Sequence, residues 1–290
     1  MNTIGVILAG GRGTRLFPVT KCTSKQLLPI YDKPMISYPL STLMLAGIRE
    51  FIIVTTPYHQ NNFSTLLGDG SSLGISIKYI CQSEPKGLAE VFLLAESHFY
   101  NRSVALILGD NLFYGNNLLA QIKNNLSNSG CCLFAYSVSN PKEYGVVEFS
   151  PDGEVLSLEE KPIAPKSNYA VTGLYIYDNT VIDRAKNLRP SPRGEYEITD
   201  LNNMYLIDNQ IKIEILGRGI AWFDTGKIDS LYEATSYVKT IQNRQGFKIC
   251  CPEEIAWRNG WISSEEVLSL AKPLISSGYG SYLENLVNEK

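Results

Sequence analysis

Glycines and cations are concentrated near the start of the chain, in a pattern that suits phosphate binding. The apolar run of residues 4–8 leads into Gly10, Gly11 and Gly13. Glycines let backbone N–H groups approach a ligand closely, and neighbouring cations complement the charge of phosphate. Residues 1–33 hold one anion, Asp32, although the whole chain carries a formal net charge of −3. The same segment has five cations: Arg12, Arg15, Lys21, Lys25 and Lys33. It therefore predicts a buried strand followed by a phosphate-binding loop.

The named phosphate-binding motifs do not match this segment. No glycine precedes a Lys-Ser or Lys-Thr pair, as a P-loop requires. The spacing that begins at Gly11 and Gly13 reaches Leu16, where a dinucleotide fingerprint needs glycine. The alternative is a turn that needs glycine only for its backbone conformation, and the residues alone leave it open.

Two aspartates follow apolar runs that have the character of strands. Asp110 comes one glycine after residues 104–108, and Asp224 directly follows residues 220–223. Open α/β sheets bind ligands at the carboxyl ends of their strands. Mg²⁺ takes oxygen ligands, commonly one or two carboxylates completed by phosphates and water. The pair therefore suits a Mg²⁺ site, and the alternative is that either aspartate caps a helix or turn.

Apolar strands alternate with helical patterns, which predicts an α/β fold with a mixed, mostly parallel central sheet flanked by helices. Strands are predicted over residues 4–8, 51–55, 77–81, 104–108, 133–138, 170–177, 211–216, 220–223 and 247–250. Helices are predicted over residues 34–47, 87–98, 117–126 and 193–206. The runs 146–149 and 154–158 flank a Ser-Pro-Asp-Gly turn, which predicts an inserted antiparallel hairpin. The chain after residue 227 is expected to be mainly helical.

Composition excludes several classes of protein. A chain of 290 residues with 44% hydrophobic content can build a full core. The six cysteines form no Cys-x-x-Cys motif, so we expect buried, reduced thiols. No signal peptide and no run of the roughly 18 apolar residues that span a bilayer is visible. With a pI of about 5.6 and no basic cluster, we expect a cytoplasmic protein that binds neither membrane nor nucleic acid.

Several motifs, in order along nearly the whole chain, resemble those of one family. They are Leu8-Ala-Gly-Gly-Arg-Gly-Thr-Arg-Leu, Lys25-Gln-Leu-Leu-Pro-Ile-Tyr-Asp-Lys-Pro, Leu108-Gly-Asp-Asn, Leu158-Glu-Glu-Lys-Pro and Trp222-Phe-Asp-Thr-Gly. The chain resembles the sugar-nucleotide pyrophosphorylases, nucleotidyltransferases that join a nucleoside monophosphate to a sugar 1-phosphate. Within them it is most similar to the glucose-1-phosphate thymidylyltransferases.

The resemblance implies a reaction and an assembly. A phosphate oxygen of glucose 1-phosphate would attack the α-phosphorus of dTTP, giving dTDP-glucose and pyrophosphate with the help of Mg²⁺. The fold would be Rossmann-like, with residues 1–226 as the catalytic domain. Its nucleotide-binding part would span about residues 1–140, and its sugar-binding part, with the hairpin, about 141–226. Residues 227–290 would serve a homotetramer and a regulatory nucleotide site.

The resemblance also implies roles for individual residues. Arg15, Lys25, Lys161 and Arg193 would be catalytic. The nucleotide would contact Gly10, Gly11, Gly13, Thr14, Arg15, Lys25, Gln26, Gln82, Gly87 and Asp110. The sugar phosphate would contact Gly145, Glu160, Lys161, Val171, Tyr175 and Arg193, and the metal would be held by Asp110 and Asp224. The regulatory site would include Tyr114, Gly115, Glu254, Ile255 and Arg258.

Three other functions are alternatives to this one. A uridylyltransferase differs in specificity by one methyl group on the base, a small hydrophobic discrimination. A non-catalytic nucleotide-sugar sensor on the same fold would be expected to lack a metal aspartate or a phosphate-binding cation, and none is missing. A nicotinamide-dependent oxidoreductase would need an acidic residue at the end of the second strand, which instead ends Val54-Thr-Thr-Pro.

Overall fold

The computed structural model describes residues 2–288, in which strands and helices alternate as predicted. The strands are β1 Thr3–Ala9, β2 Pro29–Ile30, β3 Lys33–Pro34, β4 Glu50–Thr55, β5 Ser76–Cys81, β6 Ser103–Leu108, β7 Asn111–Gly115, β8 Cys131–Ser137, β9 Gly145–Phe149, β10 Val155–Glu160, β11 Tyr169–Tyr177, β12 Ile211–Ile215 and β13 Ile220–Asp224. The helices are α1 Ser37–Leu45, α2 Gln60–Leu67, α3 Val91–Leu94, α4 Leu118–Asn125, α5 Val181–Lys186, α6 Ile198–Ile207, α7 Ile228–Gln245, α8 Pro252–Arg258, α9 Ser264–Ala271 and α10 Tyr279–Asn288.

Nine of these strands form the central sheet, in the order β10-β9-β11-β6-β1-β4-β5, with β8 paired to β11 and β12 paired to β8. β1 lies between β4 and β6 and is parallel to both, so that Ile7 is level with Ile53 and Ile107. β5 extends the parallel centre, whereas β11 runs antiparallel to β6 and β8. The hairpin β9–β10 forms one edge. The predicted mixed sheet with a parallel centre and flanking helices is therefore confirmed.

The central strands are apolar throughout because both faces of the sheet are covered. Successive side chains of a strand point to opposite faces. Ile7 accordingly packs in the same cluster as Leu40 of α1, and Val6 packs in another cluster with Phe92 of α3. This double burial is typical of parallel sheets and explains why these strands read as unbroken hydrophobic runs.

Three predicted helices begin later or end earlier than expected. The first begins at Ser37 because Lys33–Pro34 pairs with Pro29–Ile30 in a short hairpin. The second is reduced to Val91–Leu94 and a 3₁₀ turn at Glu96–His98. Residues 86–89 are instead tied by backbone hydrogen bonds to Tyr196. The helix predicted over residues 193–206 begins at Ile198, because residues 191–195 form a hydrogen-bonded turn.

The strand predicted over residues 247–250 is wrong. These residues form a turn, and Cys250 has a positive φ of 52° that breaks an extended strand. Lys248 in this turn pairs with Asp32 at 2.6 Å, so a contact distant in sequence fixes its conformation. The short strand β7, which the pattern did not predict, pairs antiparallel with β13 as a separate two-stranded sheet.

The C-terminal helices share the core of the sheet's α1 face. Ile255 and Ala256 of α8, Val267 of α9 and Leu283 of α10 lie in the cluster that contains Leu40. Helix α9 starts with a capping box between Ser263 and Glu266. None of the helices within residues 2–288 is long and apolar enough to cross a membrane.

The six cysteines are unpaired. Cys131, Cys132, Cys250 and Cys251 are buried as predicted, and Cys81 is partly buried. Cys22 is the exception, because it lies exposed in the loop between β1 and β2. Burial raises the pKa of the four buried thiols, so they remain protonated at neutral pH.

Candidate active site

A cavity of about 380 Å³ opens at the carboxyl ends of β1 and β6. Apart from Gly13 and Thr14, every residue predicted for the nucleotide, the sugar or the metal lines it. These are Gly10, Gly11, Arg15, Lys25, Gln26, Gln82, Gly87, Asp110, Gly145, Glu160, Lys161, Val171, Tyr175, Arg193 and Asp224. The motifs are spread over more than 200 residues of sequence, and the fold brings them to one concave surface.

The segment of residues 10–16 that follows β1 forms a glycine loop. Gly13 and Thr14 shape this loop without lining the cavity. Gly13 has a φ of 62°, and its carbonyl accepts hydrogen bonds from the N–H of Leu16 at 3.0 Å and the hydroxyl of Thr20 at 2.7 Å. This left-handed conformation favours glycine and starts the 3₁₀ turn Thr14–Leu16. The turn aims Arg15 into the cavity. Gly13 therefore has the turn conformation that the alternative interpretation requires, and phosphate binding by the loop stays a prediction.

The guanidinium of Arg15 and the carboxylate of Asp224 both lie beside Gly226. A Cβ added to Gly226 would lie 2.7 Å from Arg15 Nη2 and 3.0 Å from Asp224 Oδ1. Gly226 therefore leaves the space in which the guanidinium approaches the carboxylate. Its N–H also donates to Asp224 Oδ1 at 3.1 Å, which fixes the orientation of that side chain.

Asp110 and Asp224 are close together, but the charges around their carboxylates differ. Thr225, next to Asp224, donates its N–H and hydroxyl to the Asp110 carbonyl at 3.0 and 2.7 Å. Burial alone would raise the pKa of Asp110, but an ion pair with Lys25 holds it below the ordinary value of 3.8. Burial, followed by repulsion from Asp110, raises the pKa of Asp224 above the same value. Of the two carboxylates, Asp110 is thus paired with a cation, whereas Asp224 has no ion-pair partner within residues 2–288.

This donor set fits a hard divalent cation that brings its other ligands with it. Residues 2–288 contain no group of three or more His, Cys, Asp or Glu side chains that could bind a metal by themselves. The two carboxylates supply oxygen ligands, as Mg²⁺ prefers, and leave its remaining positions for phosphate and water. A cation between them would also relieve the repulsion that raises the pKa of Asp224.

Several residues predicted to contact the sugar phosphate gather around Glu160. Its Oε2 accepts a hydrogen bond from the Thr199 hydroxyl at 2.8 Å, and its Oε1 lies 3.3 Å from Lys161 Nζ. Gly145 lies opposite, where an added Cβ would be 3.4 Å from Glu160 Oε2. Lys161 has a positive φ of 44°, a strained conformation that often marks functional positions.

The other predicted sugar contacts flank this group. Arg193 is held by Glu197, whose Oε1 is 2.9 Å from Arg193 Nη2 and also accepts from the Ser191 hydroxyl at 2.8 Å. Tyr175 is buried on β11, and burial raises the pKa of its phenol. Val171, on the same strand, is partly buried and lines the cavity.

Asn111 is a site residue that the sequence analysis missed. Its Nδ2 donates to Asp110 Oδ1 at 3.1 Å, and its Oδ1 accepts from Trp222 Nε1 at 2.6 Å and from the Gly173 N–H at 3.1 Å. Asn111 thus connects Asp110 to β11 through Gly173 and to β13 through Trp222. Asn111 lies opposite Asp224 because β7 pairs with β13. The hydrophobic pattern of the sequence did not predict this pairing.

Gln26 and Gln82 turn opposite ends of their side-chain amides toward the cavity. Gln26 is almost completely buried, and its Oε1 accepts from the Ser24 hydroxyl at 2.7 Å, which leaves its NH₂ as the group for the cavity. Gln82 Nε2 donates to the Gly87 carbonyl at 3.1 Å and to Glu90 Oε2 at 2.6 Å. The structure requires glycine at position 87, because its φ is 98° and an added Cβ would lie 2.6 Å from the backbone nitrogen of Tyr196.

The five residues predicted for regulation lie outside this cavity. Tyr114 and Gly115 are on β7, and Glu254, Ile255 and Arg258 are on α8. The Tyr114 hydroxyl lies 3.4 Å from Gln245 Oε1, and Arg258 pairs with Glu254 at 2.7 Å within its helix. Ile255 is buried in the core.

Comparisons with known proteins agree with this architecture. The nucleotidyl transferase family model matches residues 4–241. The glucose-1-phosphate thymidylyltransferase of Mycobacterium tuberculosis is 55% identical over 283 residues, covering 98% of each chain. That of Neisseria meningitidis is 54% identical over 286 residues, covering 98% of this chain and 99% of the relative.

Solved structures show the same likeness. A Bacillus anthracis protein assigned as a glucose-1-phosphate thymidylyltransferase has a TM-score of 0.75 and 37% identity, covering 81% of this chain and 94% of that one. A UDP-glucose pyrophosphorylase in complex with UDP-glucose has a TM-score of 0.71 and 26% identity, covering 83% and 100%. These findings confirm the resemblance carried by the motifs: the chain belongs to the nucleotidyl transferase family.

Proposed function

We propose that the protein is a glucose-1-phosphate thymidylyltransferase, which converts dTTP and α-D-glucose 1-phosphate to dTDP-glucose and pyrophosphate. The observation that carries this proposal is the near-full-length identity of about 55% to enzymes of that name. It is supported by one cavity that holds the glycine loop, two carboxylates and the cations Lys161 and Arg193.

The glycine loop and its cations would bind the triphosphate. Gly10 and Gly11 expose backbone at the cavity, and Arg15 and Lys25 carry the positive charge. Arg offers a planar fork to phosphate oxygens and Lys a point charge. Because Lys25 already pairs with Asp110, it must exchange that carboxylate for phosphate oxygens when the nucleotide binds. Its charge would then stabilise the departing pyrophosphate.

Asp110 and Asp224 would hold Mg²⁺ together with the phosphates. The chemistry that Mg²⁺ would supply there is neutralisation of phosphate charge and polarisation of the bond to the leaving group. Protein residues alone supply too few ligands within the described chain, so metal binding is expected to depend on the nucleotide.

The other two cations that line the cavity would bind the sugar substrate. Lys161 and Arg193 suit the phosphate of glucose 1-phosphate, and Glu160 with the Gly145 backbone suits the glucose hydroxyls. Glu197 orients Arg193 for this role through their 2.9 Å contact. Val171 and Tyr175 would close the apolar side of the sugar ring.

The chemical step needs position and charge more than proton transfer. A phosphate oxygen of the sugar forms a bond to the α-phosphorus of dTTP, and the bond from that phosphorus to the bridging oxygen breaks as pyrophosphate leaves. The attacking phosphate is already ionised at neutral pH, so no general base is required. No histidine, cysteine or serine is among the residues that line the described cavity, which favours direct attack over a covalent intermediate. Holding two anions in line is therefore the main contribution of the protein.

The C-terminal helices are proposed to serve assembly and regulation. We assign residues 1–226 to catalysis and residues 227–290 to a homotetramer contact and a regulatory nucleotide site. This site would combine Glu254, Ile255 and Arg258 of α8 with Tyr114 and Gly115 of β7. Cys250 Sγ lies 4.0 Å from the Phe113 carbonyl, so the segment leading into α8 contacts β7. The unpaired thiols suit the reducing cytoplasm.

Two rival functions remain to be tested against this one. A uridylyltransferase would use the same cavity, and a non-catalytic sensor would bind without turnover. Against the sensor, Arg15, Lys25, Asp110, Lys161 and Asp224 all face one cavity.

The test is pyrophosphate release from a panel of nucleoside triphosphates with glucose 1-phosphate and Mg²⁺. We expect the highest initial rate with dTTP and no release without the sugar phosphate. Preference for UTP would reassign the base, and absence of release with every triphosphate would leave the sensor. Glu84→Lys, on an exposed loop, serves as a control variant that should keep the wild-type rate.

A further inference from the structure

The side-chain amide of Gln82 is held in one orientation. Its backbone N–H donates to the Thr55 carbonyl at 2.8 Å, which fixes the residue at the end of β5. Its Nε2 faces the Gly87 carbonyl at 3.1 Å and the Glu90 carboxylate at 2.6 Å. Both partners can only accept hydrogen bonds, so the amide nitrogen and not the oxygen must face them.

The orientation leaves the amide oxygen for the cavity. Gln82 Oε1 lies 3.1 Å from the position of a Cβ on Gly10, a residue of the same cavity wall. No residue of the range 2–288 donates a hydrogen bond to this oxygen. Gln82 therefore offers a hydrogen-bond acceptor to whatever binds beside Gly10.

We infer that Glu90 is a positioning residue that sets the base preference of the cavity by holding Gln82 with its acceptor oxygen toward the ligand. The inference rests on the proposed function, in which the base of the nucleotide binds beside Gln82. Thymine and uracil carry a donor at N3, which matches this oxygen. Cytosine carries an acceptor at N3 and an amine in place of O4, so its N3 would face Oε1 with no proton between them.

The mismatch should be costly because the acceptor pair would be partly desolvated. A site built to hydrogen-bond one group discriminates strongly against an analogue that cannot form the bond. Gly87 alone would hold the amide less firmly, because its 3.1 Å contact is longer and its carbonyl carries no charge. Glu90 does not separate dTTP from UTP, because uracil has the same edge.

The test measures kcat/KM for dTTP and for dCTP in the whole enzyme with saturating glucose 1-phosphate. We expect wild-type protein to prefer dTTP by at least about a hundredfold. Glu90→Lys places a donor against Gln82 and favours rotation of its amide, so the ratio of dTTP to dCTP should fall at least about tenfold. Glu90→Gln keeps an acceptor oxygen at the same place and should restore the ratio to within about threefold of wild type.

Two further variants keep the test decisive. Glu84→Lys makes the same charge change on the same loop, where Glu84 pairs only with exposed Lys86, and should leave the ratio unchanged. If Glu90→Lys does not fold, Glu90→Leu decides, and its ratio should also fall. An unchanged ratio in folded Glu90→Lys or, where that variant does not fold, in folded Glu90→Leu would overturn the inference, whatever happens to the overall rate. A wild-type enzyme that does not prefer dTTP over dCTP would instead contradict the proposed function.

Discussion

Replacing Asp110 and Asp224 with asparagine, one at a time, should change the stability of the ligand-free protein in opposite directions. Both changes remove one carboxylate from the proposed metal site and should abolish turnover. Their electrostatic surroundings differ, however. Asp110 is paired with Lys25, whereas the pKa of Asp224 is raised by burial and by the Asp110 charge.

Asp110→Asn leaves a buried cation without its partner. The side chains of Lys25 and Asp110 are only 13% and 9% exposed, so water cannot replace the lost carboxylate fully. Breaking a buried pair from one side typically costs about 3 kcal/mol or more. We expect a fall in melting temperature of roughly 5–10 °C.

Asp224→Asn removes a charge that the folded protein disfavours. The amide oxygen can still accept the Gly226 N–H, so the local hydrogen bond survives. Substitutions that relieve such functional strain commonly gain about 1 kcal/mol, or roughly 2–4 °C in melting temperature. Asn at either position is nearly isosteric, so packing should contribute little to the difference.

The pH dependence separates the two effects. A raised carboxyl pKa costs stability as pH rises through that raised value, and the cost is absent below the ordinary value of 3.8. The advantage of Asp224→Asn should therefore be largely gone at about pH 4. A lowered pKa gives stability that persists until pH falls below 3.8, so the deficit of Asp110→Asn should remain there. Thermal unfolding of both variants at neutral pH and at about pH 4 checks this. Equal destabilisation by the two variants at neutral pH would refute the reasoning.

Three more predictions concern the substrates. Lys161→Ala should raise KM for glucose 1-phosphate about tenfold, with little change in KM for dTTP, because a charge-assisted phosphate contact is lost; an unchanged KM for the sugar phosphate would remove Lys161 from that role. Gly145→Ala places a methyl group 3.4 Å from Glu160 Oε2 and should raise the same KM severalfold without lowering the melting temperature. The ratio of kcat/KM for dTTP over UTP should stay below about 200, since one methyl group separates the bases; initial rates over a range of each nucleotide measure it.

The parts of the fold that depend on local pattern were predictable. β1, β4 and β6 are apolar on both faces, and the length and composition of such runs identify buried parallel strands. The turn at residues 247–250 has a similar apolar composition but is fixed by the pairing of Lys248 with Asp32. A contact over more than 200 residues leaves no signal in a local window.

The candidate site also has some features that follow from local sequence and others that depend on contacts between distant residues. The motifs identified residues that face the cavity, and some of these directly follow the end of a strand, as Gly10, Gln82 and Lys161 do. They did not identify Asn111 or Glu90, whose roles come from hydrogen bonds to Asp110, Trp222 and Gln82. Gly87 lines the cavity as predicted, but the motifs did not reveal that its backbone is packed against that of Tyr196. Such relations need the three-dimensional register of the chain.

The most direct test of the account is the stereochemical course at the α-phosphorus. The reaction can be run with glucose 1-phosphate and one diastereomer of dTTP that carries sulfur on the α-phosphate, and the configuration of the sulfur-bearing product determined. A single in-line attack by the sugar phosphate inverts the configuration at the α-phosphorus, so we expect inversion. Retention would show two successive displacements through a protein-bound nucleotidyl group, and would contradict the central claim that the cavity acts by holding both substrates for direct attack.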